Sequence, residues 1–193
     1  LEAIINRTTV PTEHRRAFLG TASAAMLAAI GLVGSGCRAK PAGIAPDDPG
    51  GAVATASGMA ATALIGYLLG PGDHVIIPDD AYGGTFRLIS KVWSPLGFPW
   101  TAVDLSDLDA LVADWPDDVG MVWLETPTNP LLTCFDVEAI AEIAHDRGAL
   151  VVVDNTFATP YLQQPLTLGA DVVVHSATKY LGGHSDVIGG FVA

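Results

Sequence analysis

Basic residues are scarce in this 193-residue chain. Nine Lys plus Arg stand against 21 Asp plus Glu, for a formal net charge of −12. A surface that acidic repels nucleic acid and anionic lipid, so both are discounted as partners. A small anionic ligand remains open, because backbone N–H groups at a helix N-terminus hold phosphate without net positive charge. Cysteine is scarcer still. Cys37 and Cys134 permit one disulfide but give no framework, there is no CxxC, and the five histidines form no HExxH. No structural metal is expected from such spacings. No internal repeat occurs. What is present is a globular composition on the apolar side, 50% hydrophobic and 16% charged, with 21 Gly and 13 Pro marking many turns.

Residues 1–50 read differently from the rest. Arg15-Arg16 precedes an uncharged stretch from Ala17 to Gly36, followed by Cys37. A positive pair, a modestly apolar run and small residues are the parts of an export signal, here resembling a twin-arginine one. The alternative is a buried Ala-rich helix; the run is weakly apolar for a membrane span. Residues 40–51, with Pro41, Pro46 and Pro49, form a linker or loop. The chain starts at Leu1 and ends on the apolar Gly189–Ala193 run, giving the expectation of a fragment cut at both ends.

From residue 51 the pattern is regular. Ser57-Gly58-Met59 opens a helical stretch over Ala60–Leu69, stopped by Gly70-Pro71-Gly72. Strands are predicted at His74–Pro78, Trp100–Val103, Gly120–Glu125, Ala149–Asp154 and Asp171–Ser176. Between them the pattern predicts a loop entering a helix over Ala81–Trp93, a helix over Leu105–Ala113, and an amphipathic helix over Asp136–Arg147 that stops at Gly148. Continuous Val/Ile strands alternating with helices predict an α/β fold, a mostly parallel sheet covered by helices on both faces.

Ligands of such sheets bind beyond the carboxyl ends of the strands. Glu125, Asp154 and Ser176 each close an apolar strand. A strand-end carboxylate such as Asp154 is costly without a partner, although a lone one usually caps a helix or turn. Lys179 is one of only three lysines, in a Gly-rich segment after the last strand. A desolvated lysine there can form a Schiff base; by position alone, a surface lysine in a loop is the commoner case. The hydroxyls of Ser176 and Thr178 flank it and suit phosphate oxygens, or serve as turn residues. Gly58 and Met59 begin a helix, a weak anion-cradle signal that an ordinary helix cap also explains. Together these residues supply a phosphate cradle, an acid and a lysine, the set that pyridoxal 5'-phosphate (PLP) requires.

Five blocks then carry a resemblance: Ser57-Gly58-Met59-Ala60-Ala61, Asp80-Ala81-Tyr82-Gly83-Gly84-Thr85, Glu125-Thr126-Pro127-Thr128-Asn129-Pro130, Val153-Asp154-Asn155-Thr156-Phe157, and Ser176 through Asp186. In order, they resemble the cysteine/methionine-metabolism (trans-sulfuration) PLP enzymes, most like cystathionine gamma-synthase and gamma-lyase. The resemblance covers about residues 52–193 and implies the large domain of a fold-type I PLP-dependent transferase. It implies Lys179 as the cofactor lysine and proton shuttle, Asp154 as the partner of the pyridine nitrogen, and Tyr82 as the residue stacked on the ring. Gly58 and Met59 amides with the Ser176 and Thr178 hydroxyls are implied phosphate ligands. Asn129 and Glu125 are implied to line the site near the ring.

The implied reaction is gamma-replacement on an activated homoserine with cysteine. The alternatives are a cystathionine or methionine gamma-lyase, a homoserine sulfhydrylase, or an inactive cofactor-binding remnant. Small amino-acid substrates, a homo-oligomer (typically a tetramer) and a cytoplasmic setting go with the family; export is the alternative if Arg15-Arg16 is a true signal. The family's Tyr-x-Arg motif, which reaches a neighbouring subunit's phosphate, has no counterpart in residues 1–56. Nor does its smaller C-terminal domain, with the arginine that grips the substrate carboxylate. Residues 1–50 are therefore expected to form an atypical N-terminal segment and 51–193 a truncated PLP-binding large domain.

Overall fold

The computed structural model describes residues 51–193; the signal-like Arg15-Arg16 stretch, Cys37 and most of the Pro-rich linker lie outside the described residues. Seven strands form one sheet: β1 (Val53–Thr55), β2 (His74–Pro78), β3 (Trp100–Val103), β4 (Val119–Glu125), β5 (Leu150–Asp154), β6 (Val172–Ser176) and β7 (Gly190–Val192). Their order is β1-β7-β6-β5-β4-β2-β3. The pairs from β3 through β6 are parallel, and β7 runs antiparallel to both β6 and β1. This is the mostly parallel α/β sheet the sequence predicts.

The helices are α1 (Gly58–Ile65), α2 (Gly83–Leu88), α3 (Leu108–Ala113), α4 (Val137–Asp146) and the single turn α5 (Thr159–Leu162). Three of them start where a side-chain oxygen accepts an orphan N–H of the first turn. Ser57 Oγ accepts from Ala60 N–H at 3.1 Å, Asp107 from Ala110 at 2.9 Å, and Asp136 from Ala139 at 3.1 Å. The stretch after Ser57 is α-helical only to Ile65 and tightens into a 3₁₀ turn over Gly66–Leu68. The helix entered at Gly83 runs on as a π turn over Ile89–Trp93.

The strands read as unbroken apolar runs because both faces of the sheet are covered. Alternate residues of each strand belong to opposite cores. Ile76, Val122, Leu124, Val151, Val153 and Val173 pack with Ile140, Ala141 and Ala144 of α4 and Leu111 of α3. Val75, Ile77, Met121, Trp123, Val152, Val172 and Val174 pack with Ala61 and Ile65 of α1 and with Ile89 and Trp93. The crossover through α2 leads outward from β2 to β3, whereas those through α3 and α4 lead back past β2 to β4 and β5. Right-handed crossovers in opposite directions put their helices on opposite faces. The direction reverses beside β2 and β4, and that is where sheets of this kind leave a crevice beyond the strand ends. Among the described residues, no helix is long and apolar enough to cross a membrane.

Candidate functional site

The parity of each strand decides which side chains share the crevice. Glu125 follows the β4 series Met121, Trp123; Asp154 follows Val152 on β5; Ser176 follows Val174 on β6. All three therefore end their strands on the face that carries α1 and α2. Glu125 and Asp154 are direct register partners on neighbouring strands, and Asp154 is in turn opposite Val174. They line an open cleft together with Gly58, Met59, Tyr82, Asn129 and Lys179.

The phosphate end is built at the start of α1. Its first intrahelical bond runs from Ala61 N–H to Ser57 O, and Ala60 N–H is taken by the Ser57 cap. The Gly58 and Met59 N–H groups precede that ladder and have no acceptor within the helix. Gly58 is required here: a Cβ on it would stand 2.5 Å from Ser176 Cβ and 2.6 Å from Ser176 Oγ. The absent side chain lets the helix start and the Ser176 hydroxyl meet as one donor set, suited to a phosphate.

At the opposite end, Asp154 accepts from Thr156 N–H at 3.0 Å, and Thr156 Oγ1 in turn accepts from Ser176 N–H at 2.8 Å. Thr156 thus ties the ends of β5 and β6 together. Burial pushes the Asp154 carboxyl above its usual range, and the bonds from Thr156 pull it back down in part. Among the described residues, Asp154 forms no ion pair. A ring N–H⁺ delivered through the cleft is the partner such a carboxylate calls for. Glu125 is buried more deeply, at 6% exposure. Its Oε2 accepts from Tyr82 N–H at 2.7 Å, and the nearby Asn129 backbone also favours the charged form of this carboxyl. Burial first and the neighbouring Asp154 second push its pKa up to about 8.

Tyr82 stands just before α2 with its ring partly exposed, at 39%. The ring and the Met59 sulfur occupy the space where a side chain on Gly84 would lie. Lys179 follows β6 in a tight turn, with Lys179 N–H on Ser176 O at 3.2 Å and Gly183 N–H on Lys179 O at 2.8 Å. It lines the cleft but is solvent-exposed, so the desolvation expected for it from the sequence is not provided by the described residues.

Eight of the nine expected site residues thus meet in one cleft. Thr178 does not join them. Its hydroxyl donates to Gly189 O at 3.3 Å and accepts from Gly189 N–H at 3.1 Å, which fastens the Lys179 turn to the approach to β7. Thr62, Pro127, Thr156 and Phe157 also line the cleft. Pro127, Thr156 and Phe157 sit inside the blocks read from the sequence, where the signal was present but no role was drawn from it. Thr62 lies one turn along α1 from Gly58, and helical spacing would have found it. The donor set fits PLP: two free helix amides and a hydroxyl for the phosphate, a carboxylate for the ring nitrogen, and a lysine for the aldehyde.

The family described as Cys/Met metabolism PLP-dependent enzyme matches residues 47–193. A cystathionine gamma-synthase of Mycobacterium bovis is 62% identical over 138 residues, which is 71% of this chain and 36% of that protein. A cystathionine beta-lyase of Lactococcus lactis is 54% identical over 139 residues, 72% of this chain and 37% of that protein. The crystal structure of a cystathionine gamma-lyase from Lactobacillus plantarum, complexed with L-serine, superposes with a TM-score of 0.72 at 52% identity, covering 74% of this chain and 37% of that one. The chain thus spans little more than a third of the length of these relatives.

Proposed function

The chain belongs to the Cys/Met metabolism PLP-dependent enzymes, and we propose that its cleft is the cofactor half of a site for gamma-replacement, joining cysteine to an activated homoserine. The observation that carries this reading is the meeting of Lys179, Asp154, Tyr82, Ser176 and the start of α1 in one crevice. When bound, PLP supplies an electron sink for the electrons left at the substrate's alpha carbon. Asp154 holds a proton on the ring nitrogen, which keeps that sink strong. The Gly58 and Met59 amides and the Ser176 hydroxyl hold the phosphate, and the Tyr82 ring covers one face. Lys179 would hold the cofactor through Nζ and would move the proton at the substrate's alpha carbon. Asn129 lines the same cleft and would orient the ring. Over the reaction, the bond from the homoserine gamma carbon to its leaving oxygen breaks and a bond to the cysteine sulfur forms.

The gamma-synthase is preferred because the synthase relative is the more similar, at 62% identity against 54% for the beta-lyase. Cystathionine cleavage is the second reading, supported by those lyase relatives. Small amino-acid substrates, a homo-oligomer and a cytoplasmic setting go with either. Reduction by borohydride in the presence of PLP, followed by peptide mapping, is expected to place the pyridoxyl group on Lys179. A label on Lys40 or Lys91 overturns the assignment. Parallel assays with an activated homoserine ester plus cysteine, and with cystathionine alone, decide between the two reactions.

A further inference from the structure

We propose that Glu125 is a positioning residue for the cofactor ring, fixing through its carboxyl group the two loops that present Tyr82 and Asn129. The inference rests on the reading that the cleft holds PLP. Tyr82 belongs to the loop after β2 and Asn129 to the loop after β4, and two carboxyl groups fasten these loops in opposite directions. From the β2 side, Asp80 Oδ2 accepts the Thr128 hydroxyl at 2.5 Å and the Thr133 hydroxyl at 3.1 Å. From the β4 side, Glu125 accepts the Tyr82 N–H at 2.7 Å, and the Asn129 backbone lies near enough to favour the charged form of this carboxyl. Asp80 anchors the outer part of the clasp. Glu125 anchors the inner part, at the residues that face the ring.

On its carbonyl side the Tyr82 backbone is held by α2, through the Phe86 N–H at 2.9 Å; on its N–H side the holder is Glu125. Tyr82 opens α2 without a side-chain cap, and its ring rests in the notch above Gly84, against the Met59 sulfur. The bond from its N–H to Glu125 therefore sets where the ring projects from the chain. Glu125 also lies beside Asp154 on the neighbouring strand, with Asp80 near enough to add its charge and Lys179 on the wall of the same cleft. A pyridinium brings one positive charge to two adjoining carboxyl groups. Asp154 takes that charge, and Glu125 stays neutral by keeping its proton. A neutral carboxyl still accepts the Tyr82 N–H, so the positioning role needs an acceptor oxygen at this reach and not a negative charge.

Two conservative variants separate those properties. Glu125→Gln keeps the length and an acceptor oxygen and removes the ionisable group. Glu125→Asp keeps an ionisable carboxyl group and loses one methylene of reach. The chain is titrated with PLP, reading both the dissociation constant and the induced circular dichroism of the bound cofactor, which reports ring orientation. Glu125→Gln is expected to retain the dichroic signal and to stay within about threefold of the parent affinity. Glu125→Asp is expected to lose most of the signal and to bind about tenfold more weakly, as for a buried N–H left without its acceptor. With Tyr82→Ala already in place, Glu125→Asp is expected to add little, because the two act as one unit. Gln falling as far as Asp, Asp matching the parent, or strictly additive losses with Tyr82→Ala would each overturn the inference. A parent chain that binds no PLP overturns the functional reading, and this inference with it.

Discussion

Glu125 and Asp154 stand side by side because both strands end at the same height with the same parity. Burial pushes both carboxyl groups up, Glu125 to about 8 from an ordinary 4.5. The folded chain therefore keeps a proton on Glu125 that the unfolded chain releases near pH 4.5, and stability declines as pH rises from there to about 8. Burial pushes His74 and His175 down from 6.5, which acts in the opposite sense below that pH. Between pH 6.5 and 8 the carboxyl effect is left uncovered. Urea denaturation of the PLP-free chain across this window is expected to show stability falling by up to about 1.4 kcal/mol per pH unit. Glu125→Gln should flatten most of that slope, leaving what Asp154 contributes with Asp80 and Lys179 nearby. An unchanged slope would locate the proton elsewhere. The sequence placed Glu125, Asp154 and Ser176 at strand ends, and Lys179 just beyond one, because an apolar run marks its own last residue. It could not tell that Thr178 turns to Gly189, a partner that only three-dimensional closure brings near.

Among the elements, the five parallel strands and the three longer crossover helices were legible because each carries a full apolar period and most have a cap. The helix after Asp104 begins three residues later than its apolar pattern, because Asp104 Oδ1 first holds Ser106 N–H and Oγ in a turn, at 2.9 and 2.6 Å. β1 and β7 escaped the sequence reading. Each is three residues long, and β7 begins with glycine, so neither displays a strand period; their pairing comes from the sheet edge they complete. The close approach of α1 to β6 is the element-scale feature on which the phosphate end depends. Gly58→Ala is expected to force the helix start away from Ser176 and weaken PLP binding tenfold or more, with secondary structure retained. Spectrophotometric titration against the parent measures this, and an unchanged affinity would show that the helix start and Ser176 do not act as one cradle.

At the scale of the whole molecule, residues 51–193 bury an apolar core on each face of one sheet, and the strands contributing to both cores run continuously from β2 to β6. That is the content of an independently stable unit. Removal of residues 1–50 is expected to leave the thermal midpoint within about 3 °C of the intact chain, since a loss of 1 kcal/mol would move it by more than that in a unit of this size. A larger drop in a melting experiment would mean that the first fifty residues pack against the sheet. The family blocks made residues 52–193 readable as one unit, whereas nothing in the composition of 1–50 ties them to it.

The antiparallel edge has a consequence for the order in which the protein is made. Val53 pairs with Val192 and Thr55 with Gly190, so β1, among the first of these elements to leave the ribosome, waits for nearly the last. Ser57, Gly58 and Met59 follow β1 directly, yet the Ser176 hydroxyl that faces them and the Gly189 contact that steadies the Lys179 turn come far later in the sequence. The start of α1 is therefore made without its Ser176 partner, and the sheet edge that holds the two together closes only once residue 192 has cleared the exit tunnel.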